Sequence, residues 1–499
     1  MIKSCAILFG ISSVTCLCCR NFAENLRCEY YFSYVHSFII VYSESIVDQT
    51  RCEQTVSTWA LRSLEKGAKA NKHTLRKLLF FLHVPRTGGR TYYHCIVRKL
   101  YSNDQECPRS YDKLRFDPRE QDCRVWGSHD DYSVISKFPD ETTSVVTILR
   151  NPVDRVFSSY EFSIEVAARF LVHPNLTSAT KMTRIRKKAG VNTLEIWPWK
   201  YLVPWMREDL FSRREARRVA GLRNLKSTDP YNMTEMAMPL HEYIKEPITR
   251  DIVHNGETLQ IAGLTNNSYF SEAHQIRSCI QMFPSLGEHV LKVAKKRLDD
   301  MLFVGLTEHH QESASMLANA VGVHVLSQEL ASYKASLQRS SVSHSDIDSD
   351  NHNNLDNVNH ETIDDSSYEK LKMELGNRSA DKLMSVYGDC INSLRKSQSG
   401  RRASSLKRIA PANFSKKDRF RVSEAVIEQI KSLNSLDMEL YHYAVDLYAK
   451  QATPESANRQ ENLDSLVSLA AIPVFISITF VVTLFLYVNS RRASLKIKL

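Results

Sequence analysis

Two short runs in this sequence carry the residue types that grip an anion. The first reads Phe81-Leu-His-Val-Pro-Arg-Thr-Gly-Gly-Arg-Thr91. Its apolar head reads as a buried strand ending at Val84, and helical periodicity is predicted from Thr91 to Leu100. A strand, a glycine loop and a helix in that order aim backbone N–H groups at one point, and the helix start adds partial positive charge. Gly88 and Gly89 let the chain approach anionic oxygens closely. Arg86 and Arg90 supply charge, while Thr87 and Thr91 supply hydroxyl donors. The spacing matches neither a Walker loop nor a dinucleotide fingerprint, so alone it reads equally as a tight turn with two glycines.

The second run breaks that tie. Val145-Val-Thr-Ile-Leu-Arg-Asn-Pro-Val-Asp-Arg-Val-Phe-Ser158 is a β-branched strand running into a helix, with Pro152 suited to the first helical turn. Arg150 stands at the strand end and Ser158 about two helical turns on, where they can share one phosphate.

Together the two runs resemble the cofactor signatures of the sulfotransferase fold, whose donor is 3′-phosphoadenylyl sulfate (PAPS). The resemblance implies that Arg86, Thr87, Gly88, Gly89, Arg90 and Thr91 hold the 5′-phosphosulfate, and that Arg150 and Ser158 hold the 3′-phosphate. Asp299 to Glu308 and Ile430 to Ala444 resemble segments of heparan sulfate 6-O-sulfotransferases. Asn413-Phe-Ser-Lys-Lys417 resembles a nucleotide-contacting loop of that family, which implies cofactor contacts for Ser415 and Lys416. Phe81 to Tyr101, Trp197 to Phe211 and Gln260 to Asn267 are similar to plant tyrosylprotein sulfotransferases. One departure matters. The family's catalytic Lys is Arg86 here, which keeps the charge but cannot release a proton as readily.

Sulfuryl transfer to a tyrosine needs a proton acceptor, because a phenol ionises only near pH 10. His129, in Gly127-Ser-His-Asp-Asp131, matches the Gly-x-His context of the catalytic His in the 6-O-sulfotransferases, and Asp130 or Asp131 is expected to orient it. His83 and His94 read as structural. Arg184, Arg186, Lys187 and Lys188, with Arg213, Arg214, Arg217 and Arg218, read as an attractor for acidic peptides or as solvated helix faces. Tyrosine sulfation of acidic secreted peptides is the favoured function. A heparan-type glycan 6-O-sulfotransferase is the alternative, and a chain that has lost its chemistry through Arg86 is a third reading. No metal requirement follows from the sequence, and nucleic acid is not expected as a partner.

These residues need a scaffold. Leu78–Val84, Ser144–Leu149 and Met301–Gly305 read as strands. Val153–Leu171, His289–Arg297 and Val422–Lys450 read as helices. Strands alternating with helices predict an α/β, P-loop-like sulfotransferase fold, a central parallel sheet flanked by helices.

Length and charge frame the rest. The 499 residues carry 66 Lys and Arg against 56 Asp and Glu. With 43% apolar residues, this excludes a collagen, a disulfide-stapled toxin, a polytopic membrane protein and a wholly disordered chain. Residues 1–20 read as a signal peptide and 21–77 as an N-terminal lumenal segment. The sulfotransferase core is expected over 78–338. An acidic, Ser- and Asn-rich insertion over 339–370 has the composition of a disordered segment. A C-terminal helical part follows over 371–450, then a linker over 451–465. The uncharged run 466–488 is long enough to span a bilayer, and the basic tail 489–499 is placed in the cytosol by the positive-inside rule. A single-pass type I protein with a lumenal domain is therefore expected, and the resemblance places it in the Golgi. Sequons at Asn175, Asn232, Asn266, Asn377 and Asn413 fit a lumenal location. Cys28, Cys52, Cys95, Cys107, Cys123, Cys279 and Cys390 are free to form disulfides there, with pairing left open.

Overall fold

The computed structural model describes residues 48–65, 75–108, 112–119, 122–139, 142–173, 192–222, 227–322, 325, 380–409 and 414–452. The signal peptide, the acidic insertion, the span 466–488 and its basic tail lie outside the described residues. So do Cys28, Asn175, Asn377, Asn413 and the basic run 184–188. Among the described residues no helix is long and apolar enough to cross a membrane.

Four parallel strands form one sheet in the order β2-β1-β3-β4. They are β1 (Leu78–Leu82), β2 (Val125–Ser128), β3 (Thr143–Leu149) and β4 (Phe303–Leu306). β2 was not expected: its Val-Trp-Gly-Ser is too short and mixed for a periodicity signal. β1 is buried along its whole length, as a central strand covered on both faces must be. Leu78, Phe80 and Leu82 face one core and Leu79 and Phe81 the other, following the two-residue strand repeat.

Among the described residues, the helices longer than one turn are α1 (48–65), α2 (Gly89–Cys95), α3 (Pro152–Val172), α4 (Trp199–Val219), α5 (Gly256–Ile261), α6 (Ala273–Met282), α7 (Gly287–Asp300), α8 (310–322), α9 (Ala380–Leu406), α10 (Glu424–Leu433) and α11 (435–452). Side chains of α1, α6, α7 and α11 cover one sheet face, and those of α2, α8 and α9 cover the other. A third core joins α3 to α4, with Ile430 of α10 packed into it.

Several expected boundaries shift for local reasons. The helix after the glycine loop starts at Gly89 rather than Thr91 and turns into a 3-10 segment at Val97. The last strand begins at Phe303, because Leu302 is still outside the ladder that starts at Val146. The helix expected over Val422–Lys450 breaks at Asn434, whose side-chain amide donates to the Val253 and Ile430 carbonyls. Among the described residues three disulfides pair Cys52 with Cys279, Cys95 with Cys390 and Cys107 with Cys123. The second ties α2, directly behind the glycine loop, to α9.

Candidate active site

Register brings the two anion-binding runs together. Leu82 of β1 lies level with Ser128 of β2 and with Thr147 of β3. The loop after β1, His129 after β2 and Arg150 after β3 therefore emerge at one edge, at the carboxyl ends of parallel strands.

The loop is a tight, positively twisted turn. Arg86 and Gly88 both hold left-handed backbone, with φ of 73° and 78°. Thr87 Oγ1 donates to the Val84 carbonyl at 2.9 Å, and Thr307 Oγ1 donates to the Thr87 carbonyl at 2.6 Å. Thr87 is thus a brace, pinned between β1 and β4, while Gly88 stays exposed. Gly89 is required for packing: a Cβ there would meet the His83 ring at 2.2 Å. Arg90 and Thr91 lie half-buried in the first turn of α2, and the Thr91 N–H donates to the Gly88 carbonyl at 3.0 Å.

Arg86 and Ser158 meet directly, whereas Arg150, expected to share a phosphate with Ser158, bonds the Arg86 main chain. The Arg86 guanidinium donates to Ser158 Oγ and lies over the Phe162 ring, 4.4 Å from its centre. Burial pulls it from the ordinary arginine value to about 10, so it remains a cation near neutrality. Arg150 Nη1 donates to the Arg86 carbonyl at 3.1 Å, and burial lowers its pKa too. The Arg150 N–H donates to Glu257 at 3.2 Å, which sets where the side chain starts.

His129 is buried, 7% exposed. Its ring meets the His83 ring edge-on, with centroids 4.3 Å apart. Burial lowers its pKa to about 4 against the pull of the Asp112 charge and the Trp197 backbone, so the imidazole is neutral near pH 7. Nδ1 has no hydrogen-bond partner among the described residues, an uncommon state for a buried nitrogen outside functional sites. Gln260 Nε2 donates to the carbonyls of His83 and His129 at 3.2 and 3.0 Å, so one amide ties the ends of β1 and β2. His83 lies half-buried beneath the loop with its ring against Gly89, and His94 packs beside Tyr93.

The expected partners of the imidazole are wrong. Asp130 bonds Ser128, Lys113 and Asn267, while Asp131 caps the turn Tyr132–Lys137 and bonds Thr265. Both carboxylates organise loops instead. Asp112, which no motif marks, is the carboxylate whose charge acts on the ring.

Ser415 and Lys416 sit on the flank of α3. Ser415 forms a capping box with Asp418 over the one-turn helix Lys416–Arg419, and its hydroxyl is committed to that carboxylate at 2.6 Å. Lys416 is exposed. Arg419, unmarked by sequence, pairs with Asp154 and Glu161 of α3, and Arg402 of α9 reaches the same Glu161. The basic run on α4 is largely self-paired: Arg213 with Asp209 and Glu242, and Arg218 with Glu215, while Arg217 bonds the Leu222 carbonyl. Arg214 is exposed. Gln260 was the missed residue with a readable signal, a lone amide inside the apolar run Leu259 to Leu264.

Among the described residues no group of His, Cys, Asp or Glu is placed to hold a metal ion. A parallel sheet flanked by helices, with an arginine-lined glycine loop at its carboxyl edge and a neutral buried imidazole one strand away, defines an α/β protein. No protein-family model matches the chain. It is 50% identical over 487 residues to the protein-tyrosine sulfotransferase of Arabidopsis thaliana, covering 92% of this chain and 96% of that protein. The chain belongs to the protein-tyrosine sulfotransferase family.

Proposed function

We propose that this protein transfers the sulfuryl group of PAPS to tyrosine hydroxyls of secreted peptides in acidic contexts. The observation that carries the reading is the convergence of Arg86, Arg150 and Ser158 at the sheet edge that also bears His129. The donor set fits a phosphosulfate: two partly desolvated guanidiniums, a hydroxyl bonded to one of them, and a glycine turn open to solvent at Gly88. Thr91, Arg90 and Gly89 complete the cradle, with Ser415 and Lys416 on the nucleotide side.

When bound, PAPS supplies a sulfuryl group whose bond to the 5′-phosphate oxygen breaks as the tyrosine oxygen bonds the sulfur. His129 takes the phenolic proton, and its neutral form leaves a nitrogen available to do so. A nearby anionic donor favours the protonated ring, which strengthens the base in the complex. Arg86 works as fixed charge opposite the leaving oxygen, because it does not release a proton near neutrality. Positioning and charge placement therefore carry the rate, as in phosphoryl transfer.

The compartment belongs to the same reading: a signal peptide over 1–20, a lumenal domain, a membrane anchor over 466–488 and a Golgi location. Three disulfides support an oxidising lumen. The deciding experiment incubates the detergent-solubilised full chain with PAPS and either an Asp-Tyr peptide or a desulfated heparan chain, locating sulfate by mass spectrometry. Sulfate on the tyrosine is expected. Sulfate on the glycan alone would overturn the acceptor, and none on either would overturn the activity.

A further inference from the structure

Asp112 is 3% exposed, next to no charged motif, and stands well before β2 in the chain. A buried carboxylate is retained only with partners, and this one has two from α4 and its lead-in. The Trp197 N–H donates to Oδ2 at 3.0 Å, and the Lys200 ammonium reaches the same oxygen at 3.1 Å. Trp197 is the residue whose backbone faces the His129 ring. His129's own main chain is already held by Gln260. The ring's wall is thus a backbone segment, and Asp112 is what fastens that segment.

We propose that Asp112 is a positioning residue for His129: it holds the Trp197 backbone against the imidazole and balances the positive charge the ring gains on taking the acceptor proton. This rests on reading His129 as the base. A carboxylate behind an imidazole does the same in hydrolase triads by a direct bond. Here the positional part passes through a peptide group and the electrostatic part through space. The other charged groups around the ring work against it or are turned away. His83 at the end of β1 is neutral, its pKa held well below the ordinary value by burial. Arg86 disfavours a charged ring. Asp130 and Asp131 are bonded elsewhere. Lys200 partly offsets Asp112 from the far side. A purely structural ion pair at the start of α4 would instead change stability and leave the pH dependence alone.

Opposite variants of the pair separate these roles. Asp112→Asn and Lys200→Met full-length proteins are assayed with saturating PAPS and an Asp-Tyr peptide across the pH range, with binding of adenosine 3′,5′-bisphosphate as the folding control. Asp112→Asn is expected to lower kcat about tenfold or more at neutral pH. Its peptide KM should stay within roughly threefold of wild type. Removing a negative charge lowers the pKa of the ring, so the acid limb of the kcat profile should move down by about one unit. Lys200→Met, which leaves Asp112 unopposed, should move the limb up. If Asp112→Asn does not bind the bisphosphate, Lys200→Met decides: a limb that moves up supports the role and an unmoved one overturns it. An active wild type with unmoved profiles in both variants would overturn the role of Asp112 alone. A wild type that sulfates no tyrosine would overturn the assigned activity instead.

Discussion

Arg86 donates two hydrogen bonds to Ser158 Oγ, from Nε at 3.0 Å and from Nη2 at 2.9 Å, across 72 residues of chain. One side chain thereby links the glycine loop to α3, the two halves of the proposed anion site. Its stack on Phe162 fixes the plane of the fork. A lysine could keep the charge and one bond, but not the fork or the stack. Arg86→Met is expected to reduce kcat by about 100-fold or more, the usual loss for a donor aimed at developing charge. Arg86→Lys should retain more activity than Arg86→Met. Steady-state kinetics with a tyrosine peptide measure both, and equal losses would remove charge as the reason.

His129 links activity and stability to pH. His129→Ala should lower kcat by about 100-fold to 10,000-fold while leaving binding of adenosine 3′,5′-bisphosphate intact. Its folded pKa of about 4 lies below the ordinary 6.5, so between these values the unfolded chain binds the proton first. Stability must then fall as pH drops from 6.5 towards 4, by about 3 kcal/mol or less from this group. Urea unfolding of His129→Gln should show a shallower loss over that window than wild type. Parallel curves would refute the buried, neutral ring.

The two loop glycines should respond differently. Gly89→Ala places a methyl 2.2 Å from the His83 ring, which is wedged beneath the loop and against His129. Overpacking of this kind costs about 1–3 kcal/mol and would displace the base's neighbour. At Gly88 the nearest atom to a new Cβ is 3.7 Å away, and the penalty there is the left-handed backbone at φ 78°, about 1 kcal/mol. Thermal unfolding of both variants should rank Gly89→Ala as the more destabilised, with activity lost in the same order.

Arg155, 1% exposed, is the second arginine of the β3–α3 run, and it faces the interior rather than the anion. It pairs with Asp437 of α11 at 2.8 Å, and Asp437 also accepts from the N–H groups of Glu257 and Thr258 in α5. Glu257 stands 3.7 Å from the same guanidinium, and burial raises its carboxyl to about 8. Asp437→Ala is expected to cost about 3–5 kcal/mol by breaking this buried pair and stranding the Glu257 and Thr258 N–H groups, with only Glu257, 3.7 Å away, left to face the guanidinium. The double variant Arg155→Met with Asp437→Leu should cost less than that single change, because no stranded charge remains. Denaturant midpoints of the two proteins decide it.

The anion site was legible because its signals are local. A glycine pair after an apolar strand, or an Arg and a Ser two helical turns apart, declares its geometry within twenty residues. Residue order alone therefore specified the strand–loop–helix units and the parallel α/β architecture, and it marked Arg86, Arg150 and Ser158 as candidates. It also singled out His129 through its Gly-x-His context. Tertiary structure alone decided how those units line up. The register of β1 with β2 and β3 sets His129 beside His83 and the glycine loop, and no local pattern encodes a register between strands so far apart in the chain. The same holds for what surrounds the imidazole. Asp130 and Asp131 are its nearest acids in sequence, yet strand geometry turns them into neighbouring loops. The charge of Asp112 acts on the ring instead, and Asp112 is fixed by the Trp197 N–H just before α4. Cysteine pairing followed the same rule, since Cys95 and Cys390 bond across a sequence separation of 295. Residue type and spacing specify which chemistry is available, but desolvation and long-range contact decide which groups are charged and which are neighbours.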